Sequence, residues 1–188
     1  MASFDKFYFD SKKKIQSDPG ILLHPNIPKP LHTVNPRTIL GSAWWNIQRQ
    51  TAYEEHDYHC HACGIHKTEA RYKQWLEGHE FYTVDYAVGK VDFVKVVALC
   101  NACHNYIHSG RLQALLNKGL INQQRFNEII KHGELVLRLG GYKHFRPDYP
   151  SIVVEWSDWH MIINGKKYYS PFEDYAAWAD YHAQDGKL

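Results

Sequence analysis

The chain has no long hydrophobic run. Its longest apolar stretches, such as VVALC, fall far short of the roughly 20 residues a helix needs to cross a bilayer. Its first residues, MASFDKFYFDSKKK, lack the apolar centre and small-residue cleavage site of a secretory leader. Charge of one sign is missing too: 22 Lys and Arg against 20 Asp and Glu leave a formal net charge of +2. So even a balance gives no general polyanion signal, although a local basic face is enough for nucleic acid. No internal repeat or low-complexity tract is present. Cysteine is scarce, at four of 188 residues. Without a secretory leader these are not expected to form disulfides. The absences together predict a cytoplasmic protein of one domain, or one domain with an appendage, large enough to bury a core without covalent staples.

What is present is concentrated. The four cysteines form two pairs, Cys60-x-x-Cys63 and Cys100-x-x-Cys103, with none left over. A tight C-x-x-C knuckle aims two sulfurs at one point, and two knuckles complete a closed tetrahedron. The pairs therefore predict a structural zinc site, thiolates suiting a soft-to-borderline ion. The gap between the knuckles is longer than in a compact zinc ribbon, so folded structure is expected between them.

Residues 1–40 carry DPG, HPNIPKP and NPR and read as an extended arm. A helix is expected to follow, with Ser42 as N-cap and a stripe through Trp44, Ile47 and Gln48 to Ala52, leading into the first knuckle. QWLEGHEFYTVDY and KVDFVKVVAL, rich in aromatic and β-branched residues, predict a β-hairpin turning at Gly89-Lys90. The second knuckle opens a helix, bent or broken at Gly110. A further helix is expected between an Asn122 cap and Gly140-Gly141. Short strands turning at Asn164-Gly165 follow, then a last helix with Ser170, Pro171 and Glu173 at its start. The expected organisation is an arm over 1–40, a zinc domain over 41–118 and a C-terminal α/β extension over 119–188, α+β in class. The extension is rich in Trp and Tyr and names no chemistry of its own.

Three histidines converge in this reading. In CNACHNYIH, His104 and His108 stand four residues apart, about one turn on one helix face. His79, within WLEGHEFY, faces them from the hairpin. Three protein ligands with positions left open describe a catalytic ion site. Glu77 shares the strand face of His79, and would orient it or be solvated; Glu80 points to the opposite face. Arg111 and Lys95 are candidate phosphate contacts, with Lys118 and Arg125 as further ones.

Cys-x-x-Cys, then a strand bearing acids and a histidine, then Leu-Cys-x-x-Cys-His-x-x-x-His resembles the HNH (ββα-metal) endonuclease family, over roughly residues 40–115. The resemblance implies a ββα core tied at its base by zinc. It implies a divalent ion such as Mg, Mn, Ni or Zn on His79, His104 and His108, and hydrolysis of nucleic-acid phosphodiester bonds. The position that holds the family's general-base histidine is Glu80 here, and the position of a common asparagine is Lys95. Glu80 would then be the base or an additional ligand. The alternative expectation is an HNH-like zinc scaffold that does not cleave, and binds nucleic acid, a nucleotide or a protein partner.

Overall fold

The computed structural model describes residues 17–150 and 154–184. Residues 1–16 of the expected arm lie outside that range. From Pro19 the Pro-rich stretch folds into two 3₁₀ turns, Pro19–Leu23 and Lys29–Leu31, which bury Leu22 and Leu31. Helix α1 follows over Pro36–Glu55. It is two helical pieces, because Gly41 has φ 85° and ψ 169°, a backbone suited to glycine. Of the expected stripe, Ala52 is buried and Trp44 half-buried, whereas Ile47 is 64% exposed; Trp45 and Tyr53 are the further inward residues.

Strands β1 (Leu76–Asp85) and β2 (Lys90–Cys100) form the expected hairpin. α2 (Asn101–Ile107), α3 (Ser109–Asn117) and α4 (Gln123–Leu139) come next. Asn122 caps α4 as expected, its side chain accepting from Arg125 N at 2.8 Å. β3 (His160–Ile163) and β4 (Lys166–Tyr169) turn through Asn164 (φ 51°) and Gly165 (φ 76°), the paired positive angles of a tight hairpin. α5 runs over Tyr175–Gln184 and starts later than expected. Asp174 accepts from Ala177 N at 2.9 Å, while Ser170 accepts from Phe172 N and closes only a turn. The chain is thus α+β, with one four-stranded mixed sheet ordered β1-β2-β3-β4. β2 and β3 are parallel and β3 and β4 antiparallel.

The chain forms two compact units. One takes the described residues up to His24 with Gln48–His79 and Val96–Pro147; the other takes Pro25–Ile47, Glu80–Lys95 and the described residues from Asp148. In the second, Leu31, Val34, Tyr82, Val91, Trp159, Met161 and Ile163 form a hydrophobic core. In the first, α2 packs on α3, α4 and the Pro19–Leu23 turn. Leu99, Leu112, Ile129 and Leu137 are fully buried there.

Close approach of α4 to α2 depends on Gly133. A Cβ at that position would lie 2.2 Å from the Tyr106 ring. The Tyr106 hydroxyl is itself held, donating to Phe145 O at 2.6 Å, so the ring cannot swing away cheaply. Gly133→Ala is therefore expected to destabilise by about 1–3 kcal/mol. The check is the midpoint of urea unfolding.

Candidate metal centres

The first knuckle is closed by its own backbone. Gly64 N donates to Cys60 O at 2.8 Å and Cys60 N to Ile65 O at 2.9 Å. It is stapled to β2 by His61, whose N–H donates to Ala98 O at 2.8 Å and whose ring Nδ1 accepts from Ala98 N at 3.1 Å. Ala98 lies two residues before Cys100, so this staple sets the first pair of sulfurs against the second. Cys100 ends β2 and caps α2, and Cys103 sits in the first turn of α2.

All four cysteines are buried and none is in a disulfide. Their sulfurs lie within 4.8 Å of one another, with Cys63 and Cys100 Sγ 3.8 Å apart. Zinc–sulfur bonds of about 2.3 Å place the corners of a tetrahedron about 3.8 Å apart, so the residues fit a structural zinc. The electrostatics agree. Hydrogen bonds from Cys103, Cys60 and Cys63 hold the Cys100 thiol far below its usual range, while burial and neighbouring sulfurs push Cys103 up. Four buried sulfurs this close together suit a site completed by a cation, which would balance thiolate charge. Buried His132, on α4, places Nε2 3.2 Å from Cys103 Sγ, as a second-layer hydrogen bond to a ligand.

The second cluster is His79, His104 and His108, each offering a ring nitrogen within 4.8 Å of the others. His79 lies on β1 and is 3% exposed. His104 lies within α2. The helix breaks at His108 (φ −85°, ψ 59°) and not at Gly110 as expected. The break ends α2 while keeping His108 N bonded to His104 O at 3.2 Å, so the two imidazoles stay adjacent with ring centroids 4.8 Å apart.

His79 Nδ1 and His108 Nε2 are 3.2 Å apart. Two nitrogens bonded to one tetrahedral ion at about 2.0–2.1 Å would be about 3.3 Å apart, so this pair fits an ion as well. Burial, and then the charge of neighbouring groups, pushes both rings toward the neutral form. His79 falls well below its usual pKa, and His108 falls to about 3 under burial, His104, Arg111 and His24. Neutral imidazole is the form that binds metal.

Glu77 meets His104 rather than His79. Its Oε2 lies 2.5 Å from His104 Nδ1, leaving His104 Nε2 for an ion. Its Oε1 accepts from Asn101 Nδ2 at 2.9 Å and faces Lys73 Nζ at 3.4 Å. Burial alone would raise this carboxyl, but hydrogen bonds from His104 and Asn101, with the charges of His104 and Lys73, outweigh it and hold the pKa at about 2. Asn101 is 2% exposed and also accepts from Arg125 Nη2 at 3.1 Å. Arg125, considered for phosphate, is thus tied to Asn101, and it lies over the Tyr72 ring at 4.4 Å. Asn101→Ala strips partners from a buried carboxylate and a part-buried guanidinium. It is expected to cost about 2–4 kcal/mol, read as a lowered midpoint of urea unfolding.

Among the described residues, the second cluster holds no carboxylate oxygen: Glu80 is half-buried on β1 and is not part of it. Lys95 and Arg111 are exposed. Two contributors lay beyond the sequence reading. His132 stands within the apolar stripe Ile129, Gly133, Val136 and Leu137 of α4, and a histidine at a core position is a usable signal. The other is His24, whose Nδ1 lies 3.0 Å from His79 Nε2. Comparison with family models, with curated proteins and with solved structures returned no match to this chain.

Proposed function

We propose that the protein is a metal-dependent, HNH-like endonuclease that hydrolyses nucleic-acid phosphodiester bonds. The observation that carries this reading is the convergence of His79, His104 and His108, with Glu77 backing His104. Three protein ligands leave positions open for substrate, unlike the closed cysteine set. A divalent ion bound there would supply Lewis acidity toward a phosphoryl oxygen and toward water. His79 and His108 present neutral lone pairs to it, because burial opposes their protonation. Arg111 is exposed, and its charge reaches His108, which makes it the first candidate for a phosphate contact; exposed Lys95 is the second. Glu80 is the candidate general base or an added ligand. The order of motifs, knuckle, hairpin, knuckle and histidine helix, supports the HNH-like reading.

One observation favours a second reading. Glu80 offers no oxygen to the histidine cluster, so a zinc-held scaffold that binds nucleic acid, a nucleotide or a protein without cleaving it is the rival. The deciding experiment incubates purified zinc-loaded protein with plasmid, single-stranded DNA and RNA, adding Mg²⁺, Mn²⁺, Ni²⁺ or Zn²⁺. Cleavage that requires the added ion is expected. A folded, zinc-loaded protein that cuts none of these substrates would overturn the nuclease reading and leave the scaffold.

A further inference from the structure

His79 uses both of its ring nitrogens. Nδ1 faces His108 Nε2 at 3.2 Å, the spacing of two ligands on one ion, and Nε2 faces His24 Nδ1 at 3.0 Å. A neutral imidazole carries one proton, on one nitrogen only. If Nδ1 is the nitrogen turned to the ion, the proton belongs on Nε2, and it needs an acceptor. His24 Nδ1 is at the right distance, with its ring edge-on to His79 at 87° and centroids 5.0 Å apart. Both rings are buried, at 6% and 3% exposure, so water does not substitute easily as the acceptor.

We propose that His24 is a positioning residue that selects Nδ1 of His79 as the ion's ligand by accepting the Nε2 proton. The inference rests on the histidine cluster being an ion site, not on cleavage. His24 is not a fourth ligand, because its nitrogen lies against the far nitrogen of His79 and it does not belong to the three-histidine group. The same cluster holds His104 by the opposite device. There a carboxylate, Glu77, engages Nδ1 and leaves Nε2 to the ion. A neutral acceptor on one ligand and an anionic one on the other fix two imidazoles in opposite senses around one point.

The placement of His24 is built and not incidental. Asp18 caps the Pro19–Leu23 turn through Gly20 N at 2.9 Å, and its own N–H donates to His61 O in the first knuckle at 2.6 Å. Ile21 and Leu22 are buried, and His24 N closes the turn on Ile21 O at 3.0 Å. Pro25 follows and holds His24 in extended backbone (φ −59°, ψ 126°). The residue is thereby anchored from both sides of its chain.

The test loads the cysteine site of the full chain with zinc, then titrates Co²⁺ into wild type, His24→Ala and His24→Asn. Asparagine keeps an acceptor, Oδ1, where His24 has Nδ1. His24→Ala is expected to weaken Co²⁺ binding about 10- to 100-fold. His24→Asn is expected to restore most of it, with one zinc per chain retained throughout. A long-range ¹H–¹⁵N spectrum of the protein with Zn²⁺ at both sites should show a metal-bound Nδ1 and a protonated Nε2 on His79. Unchanged Co²⁺ affinity in His24→Ala, a folded His24→Asn as weak as the alanine variant, or a proton on Nδ1 would each overturn the proposal. So would a wild type that takes up no Co²⁺ at the histidines. A wild type that binds Co²⁺ in this His24-dependent way but cuts no nucleic acid sinks only the cleavage reading.

Discussion

Cys103→Ser, or zinc removal by a strong chelator, is expected to unfold the unit that contains both knuckles. Cys103 is fully buried, and its sulfur belongs to the four-sulfur cluster. Structural zinc in small domains contributes about 10–16 kcal/mol of binding free energy. A whole domain has only about 5–15 kcal/mol of net stability, so a loss of that order is enough to unfold it. The staple between His61 and Ala98 and the start of α2 at Asn101 are both set by the knuckles, so the hairpin base and the helix should go together. Metal content per chain and thermal melting by circular dichroism are the readouts. A Cys103→Ser chain that melts like wild type would refute the structural role.

For the proposed nuclease, His79→Ala is expected to cut ion-dependent cleavage by about 100-fold or more, since it would remove one of the three proposed ligands. Loss of activity alone would be ambiguous, because the ring is 3% exposed and touches His24 and His108. Truncation leaves those rings short of a partner and costs roughly 1–3 kcal/mol. The variant must therefore keep its zinc and melt cooperatively for the result to count. Glu80→Ala is the companion. Cleavage lost in both variants makes Glu80 part of the working centre, as base or as added ligand. Cleavage lost only in His79→Ala keeps the ion site and moves the acceptor elsewhere. Cleavage retained by a folded His79→Ala removes the histidine cluster from the chemistry.

The parts of this protein that could be read from sequence are those encoded at short range. C-x-x-C spacing, the β-branched and aromatic content of KVDFVKVVAL and the i, i+4 histidines each report a local geometry; the structure makes the strand and brings the cysteines and the histidines together. Asn122 and Asn164-Gly165 announced a cap and a turn by residue type. The parts that escaped are set at long range. His24 lies 55 residues from His79 and carries no spacing signal, only a Pro-rich neighbourhood. Strand parity puts Glu77 on the face of His79, to orient it or be solvated, but the helix start decides the matter by presenting His104 and Asn101 to it. The break at His108 rather than Gly110 has the same origin, because tertiary packing outweighs the weak preference of one glycine.

One stretch, Cys100 to His108, carries two of the four sulfurs, the asparagine that orients Glu77 and two of the three imidazoles. Whatever fixes the first turn of this stretch also fixes the spacing of the last. Metal supply to the protein should accordingly follow an order. On the proposed reading, an ion at the thiolates would set the geometry that the histidines offer to a second ion, so loading of the cysteine site would come before loading of the histidine site.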